Sequence, residues 1–146
     1  ARIAAEVAAG DLVATADVLA IVEDRLRAAT RAGGWVLDGA PRTMAQAGAL
    51  DGMLVAMDAP VDRVVALDVP DADVQGRLAR RARTEHRVDD TADVIAHRLA
   101  VWAREGVSVL AWYERRCLLV RVDGTGDVAD VAARVADALE PSRRVS

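Results

Sequence analysis

Three short apolar runs, each closing on an aspartate, restrict this chain more than any other feature. They are Trp35-Val36-Leu37-Asp38, Val64-Val65-Ala66-Leu67-Asp68-Val69, and Leu118 to Val122, which runs into Asp123. Apolar runs this short and continuous suit strands buried on both faces. Amphipathic helical patterns lie between them. Strand and helix in alternation predict an α/β fold, a parallel sheet with helices on both faces.

The helical patterns have readable ends. Ala1 to Ala9 resemble the tail of a helix stopped at Gly10, and Asp11-Leu12-Val13 a short connector. Thr15 is the expected N-cap of a helix over 16–32, with Val18, Leu19, Val22 and Leu26 on one face and Gly33-Gly34 as its stop. Thr43 with Gln46 forms a capping box for a helix over 44–57. Asp71 is the expected cap of a basic helix over 72–83, followed by a polar stretch from Thr84 to Asp90. Thr91 caps a helix that runs to Arg116, bent at Gly106. A closing amphipathic helix spans Asp127 to Leu139, and Pro141 to Ser146 form a polar tail.

At 146 residues the chain suits one domain. No apolar run reaches the roughly 18 residues of a membrane span, so the reading is a cytoplasmic protein without membrane contact. A net charge of −4 argues against a nucleic-acid partner. The single cysteine, Cys117, reads as an inert core thiol, and His86 and His97 as exposed residues without metal-ligand partners. All 19 basic residues are arginine. With no lysine, these residues contain no phosphate loop of the form G-x-x-x-x-G-K-[ST].

The exits of the three runs, Asp38-Gly39, Asp68 and Asp123-Gly124, should line one crevice, where open parallel sheets bind ligands. Arg77 and Arg81 share a helix face, Arg87 follows them, and Arg98 and Arg42 complete a set of five. Arginine forks match phosphate oxygens, so such a set suits an anionic substrate; the plainer alternative is a solvated basic helix in an arginine-rich chain.

Asp38-Gly39-Ala40-Pro41-Arg42-Thr43 resembles the D-G-[FY]-P-R-[ST] signature of adenylate kinases. The similarity runs in order from about residue 1 to about 140. Gly10-Asp11-Leu12-Val13 is similar to the connector that receives the AMP adenine, and Gln46 to the glutamine that reads that base. Val69-Pro70-Asp71 with Arg77 and Arg81 is similar to the element that holds ATP and the transferring phosphoryl group. Arg87-Val88-Asp89-Asp90 with Arg98 resembles the R-x-D-D motif and its downstream arginine, and Asp123-Gly124-Thr125-Gly126 the turn against the ATP adenine. The resemblance implies ATP + AMP ⇌ 2 ADP with Mg²⁺. It puts Arg42, Arg77, Arg81, Arg87 and Arg98 at the transfer. Asp11, Leu12, Val13, Gly39, Arg42, Gln46, Arg87 and Arg98 would bind AMP, and Arg77, Arg81 and Gly126 would bind ATP. Asp38 would hold Mg²⁺ through water. Residues 1–32 would end the AMP-binding flap and about 82–88 would form a short lid, within a single domain over 1–140.

Two departures accompany the match. Ala40 stands where the signature has an aromatic residue. The family's opening strand and phosphate loop are not among these residues, so the resemblance implies a fold incomplete at the N-terminus and no transfer by these residues alone. That strand would lie between 35–38 and 64–69, leaving two unpaired edges and a route to association in a protein otherwise expected to be monomeric. Two other readings remain open: a paralogue that binds nucleotide or a partner without catalysis, and a kinase for another nucleoside monophosphate.

Overall fold

The computed structural model describes residues 9, 11–84 and 91–140. The expectations placed on 1–8, on Gly10, on 85–90 with Arg87 and most of the short lid, and on 141–146 lie outside the described residues. Helix α1 (Thr15–Arg31) and α2 (Met44–Ala56) precede β1 (Val64–Asp68). Helix α3 (Asp71–Thr84) and α4 (Ala92–Val101) follow, then a π-helical turn (Trp102–Gly106), α5 (Val107–Glu114), β2 (Leu119–Asp123) and α6 (Val128–Leu139). β1 and β2 pair in parallel, with Val64 opposite Leu119 and Asp68 opposite Asp123. The fold is α/β, a parallel sheet flanked by helices. Among the described residues no helix is long and apolar enough to cross a membrane.

The expected strand over 35–38 is not one. These residues alternate between half-buried and exposed but join no ladder, and the described sheet has two strands. Side-chain packing holds the segment instead. Trp35 and Leu37 press on a cluster of Leu26, Leu50 and Leu54, while Val36, on the alternate face, is 97% exposed. Extended backbone alternates its faces, so one side buries and the other does not.

Helix α2 joins the two parts of the core. Leu50 and Leu54 face the α1 cluster, and Ala47 packs with Val109 and Tyr113 of α5 beneath Val64 and Leu119. Its start keeps half of the expected capping box: Thr43 Oγ1 accepts the Gln46 N–H at 3.1 Å, but the Gln46 side chain goes to the Arg42 N–H instead of back to Thr43. Thr15 does not cap α1. Ala14 occupies that position without a side-chain bond, and Thr15 is the first helical residue. Asp71 likewise lies inside the first turn of α3, where the Pro70 carbonyl accepts the N–H groups of Asp73 and Val74.

Three helices end by the same device. Gly33, Asp58 and Cys117 each adopt positive φ, +116°, +51° and +58°. The next amide reaches back five residues: Gly34 to Ala29, Ala59 to Leu54, Leu118 to Tyr113. Left-handed closure satisfies carbonyls that a helix end otherwise leaves open. Cys117 is therefore exposed at a turn, not the buried thiol expected. The expected bend at Gly106 is the π-helical turn, on which the Trp102 ring lies so closely that a Cβ at 106 would overlap it.

Candidate functional site

On one side the site is organised by a buried amide. Gln46 is 3% exposed, and its carboxamide joins two segments far apart in sequence. Oε1 accepts the Arg42 backbone N–H at 2.7 Å, and Nε2 donates to the Val13 carbonyl at 3.0 Å. Two backbone groups are thereby satisfied, and the connector over 11–13 is held against the 39–42 turn. Arg42 Nε donates to the Gly39 carbonyl at 2.7 Å, so the side chain folds back over its own turn. Gly39 has φ +84°, a conformation that favours glycine, and a Cβ there would lie 3.4 Å from an Arg42 Nη. Ala40 and Pro41, joined by a cis peptide, line a narrow apolar crevice with Val18, Val22, Gln46 and Leu50. Asp11, Leu12, Val13, Gly39, Arg42 and Gln46 thus belong to one locality built on α1 and α2.

Sequence reasoning missed one link here. His97 Nε2 lies 2.9 Å from Asp11 Oδ1, which ties the connector to α4 beside Arg98. Nothing in the spacing of residues 11 and 97 signals it. His97 is half-exposed, in keeping with its reading, but it has a partner.

The second side lies at the carboxyl ends of β1 and β2. An open depression of about 490 Å³ is lined by Asp68, Val69, Pro70, Arg121, Asp123 and Thr125. The register sets Asp68 and Asp123 side by side, and like charges on adjacent strands repel. Each therefore has its own cation: Arg121 Nη1 lies 2.9 Å from Asp68 Oδ1, and Arg134 Nη1 lies 3.1 Å from Asp123 Oδ2. Bonding to Thr125 holds the Asp123 carboxyl below its usual range, chiefly through the Thr125 backbone N–H at 2.9 Å. Gly124 donates to the Asp68 carbonyl at 2.9 Å. A Cβ on Gly124 would meet Val69 Cγ2 at 2.5 Å, so the close passage of the two strand exits requires glycine. Gly126 has φ +93°.

Arg77 reaches from α3 onto this turn, with Nη2 donating to the carbonyls of Gly124 at 2.9 Å and Gly126 at 3.3 Å. Arg81 and Arg98 are both engaged in interactions of their own. Asp38 is exposed at the end of the extended segment. Among the described residues no three His, Cys, Asp or Glu side chains gather as a metal cage. Mg²⁺ is usually held by one or two carboxylates, waters and substrate phosphates, so a lone exposed aspartate fits it. Arg121 and Arg134 are the site residues that sequence reasoning overlooked. The only signal was their placement on the last strand and the last helix, close to the 123–126 turn.

A parallel sheet whose strand exits carry acids and glycine turns, with arginines bonded to those turns, suits a nucleotide phosphotransferase, in which charge placement does most of the work. The chain belongs to the adenylate kinase family, the nucleoside monophosphate phosphotransferases: the family model described as "Adenylate kinase" matches residues 1–118. It is 42% identical over 132 residues to an adenylate kinase of Xylella fastidiosa (strain M23), covering 90% of this chain and 71% of that protein. It is 42% identical over 139 residues to an adenylate kinase of Maricaulis maris (strain MCS10), covering 95% and 74%. A Micrococcus luteus adenylate kinase is 43% identical over 130 residues, covering 89% of this chain and 63% of that protein.

Proposed function

We propose that these residues form the AMP-facing wall and part of the ATP-facing wall of a site for ATP + AMP ⇌ 2 ADP. The observation that carries this reading is the Gln46 bridge between Val13 and Arg42, because it gathers the connector and the signature turn under one arginine. In this assignment Arg42 and Arg98 hold the AMP phosphate, and the family resemblance assigns Arg87 to the same task. Arg77 and Arg81 face the ATP phosphates, and Gly126 lies in the turn against the adenine. Arginines at both ends neutralise the charge that spreads over the transferring phosphoryl oxygens. Holding donor and acceptor in line removes the entropy of their encounter. Mg²⁺, when bound near Asp38 through water, supplies further neutralisation of the phosphates.

Gln46 has a double role in this reading. Its Oε1 and one Nε2 hydrogen order the backbone, which leaves the second Nε2 hydrogen for an acceptor on the AMP base. Ala40 leaves selectivity for the base to be measured, so the test runs the four monophosphates together. Calorimetric titration of the full-length protein should show AMP binding more tightly than CMP, UMP or GMP. Arg42→Ala should weaken AMP by about tenfold or more, the worth of a charged hydrogen bond, with ATP affinity little changed. Unchanged AMP affinity in that variant defeats the assignment, and preference for another monophosphate replaces AMP as the substrate.

A further inference from the structure

The Asp123–Gly126 turn has four successive backbone carbonyls, and two arginines from different helices hold them in alternation. Arg134 of α6 donates from Nη1 to the Asp123 oxygen and from Nη2 to the Thr125 oxygen, the latter at 2.6 Å. Arg77 of α3 takes the oxygens of Gly124 and Gly126. The Asp123 carboxylate adds an ion pair to Arg134 at 3.1 Å while accepting the Thr125 N–H. A guanidinium is planar and its donors are fixed in a fork, so Arg134 sets the spacing of the carbonyls it joins.

We infer that Arg134 is a positioning residue for the phosphoryl donor: it fixes the shape of the turn against which the ATP base packs. This rests on the functional reading above, in which that turn faces the ATP adenine and Arg77 serves the ATP phosphates. When Arg77 turns to phosphate, it releases the Gly124 and Gly126 carbonyls. Arg134 then remains as the side-chain clamp on the turn, with its stem on α6. Its loss lets the turn sample other shapes, and ordering it again weakens ATP binding. Among the described residues the AMP side, built on α1, α2 and the Gln46 bridge, shares no hydrogen bond with Arg134.

The test uses the full-length protein and compares Arg134→Gln and Arg134→Lys with Arg104→Gln, a surface control whose guanidinium pairs with neighbouring Glu105. Kd for ATP and for AMP are measured by calorimetry, and KM and kcat in a coupled assay. Arg134→Gln should raise Kd and KM for ATP about tenfold and leave those for AMP within about twofold. Arg134→Lys, which keeps the charge and loses the fork, should fall between, and it serves as the readout if the glutamine variant does not fold. A lower melting temperature with unchanged ATP affinity makes Arg134 a structural clamp only and overturns the inference. Equal weakening of ATP and AMP overturns it as well. If the unsubstituted protein binds no ATP, the functional reading fails and this inference falls with it, a result distinct from a silent Arg134 substitution.

Discussion

Cys117 sits at φ +58° where α5 closes, a conformation that costs an L-residue about 1–2 kcal/mol relative to glycine. Glycine would relieve that strain, although it adds about 0.5–1 kcal/mol of unfolded-state freedom. The difference favours Cys117→Gly by about 0.75 kcal/mol at the middle of these ranges. Urea unfolding should show a higher midpoint at unchanged slope, with Cys117→Ala no better than the parent. A glycine variant no more stable than the alanine one would show that the strain is absent. The same residue shows what the sequence concealed. A cysteine ahead of Leu118-Leu119-Val120 looks like core, because nothing in the run says that the helix must first turn left-handed. Local chemistry was legible: Thr43 capping Gln46 follows from residues three apart. Contacts between distant residues were not: Gln46 to Val13, His97 to Asp11 and Arg134 to Thr125 depend on which elements pack together.

At the scale of elements, the apolar runs marked both paired strands to within a residue, since a buried strand needs little more than continuous apolar character. The run at 35–38 has that character too, and among the described residues it is unpaired, because a ladder also requires a neighbour. The bend near Gly106 was readable from glycine inside a helical pattern, but its form was not. It is a π-helical turn with the Trp102 ring against the glycine. Alanine at 106 gains about 0.5–1 kcal/mol of helix propensity. Against this, its Cβ would overlap the ring, and relieving such overpacking costs about 1–3 kcal/mol. The overlap should therefore outweigh the gain in propensity. Gly106→Ala is expected to lower the melting temperature and shift tryptophan emission to the red as Trp102 moves toward water. A rise in melting temperature with unchanged emission would mean that the turn relaxes to α-helix at no cost.

Across the whole molecule, α2 is the hinge of the packing. It shares one cluster with α1 and the extended segment, and the other with α5 and the sheet. The proposed AMP side belongs to the first and the proposed ATP side to the second. This arrangement leaves apolar surface uncovered. Among the described residues β1 has β2 as its one partner, Leu67 is 51% exposed, and Val36 is 97% exposed. Unpaired strand edges and apolar side chains in water favour association between copies. Sedimentation of this 146-residue chain should therefore depend on concentration across about 1–100 μM, the range in which such surfaces begin to associate. Val36→Asp separates this cause from general instability. The side chain buries almost nothing in the described fold, so its replacement should leave the unfolding free energy within about 0.5 kcal/mol of the parent. The added charge should shift the sedimentation profile toward monomer. A chain that is monomeric throughout that range would show that these surfaces do not drive association, and equal association in parent and variant would place the contact elsewhere.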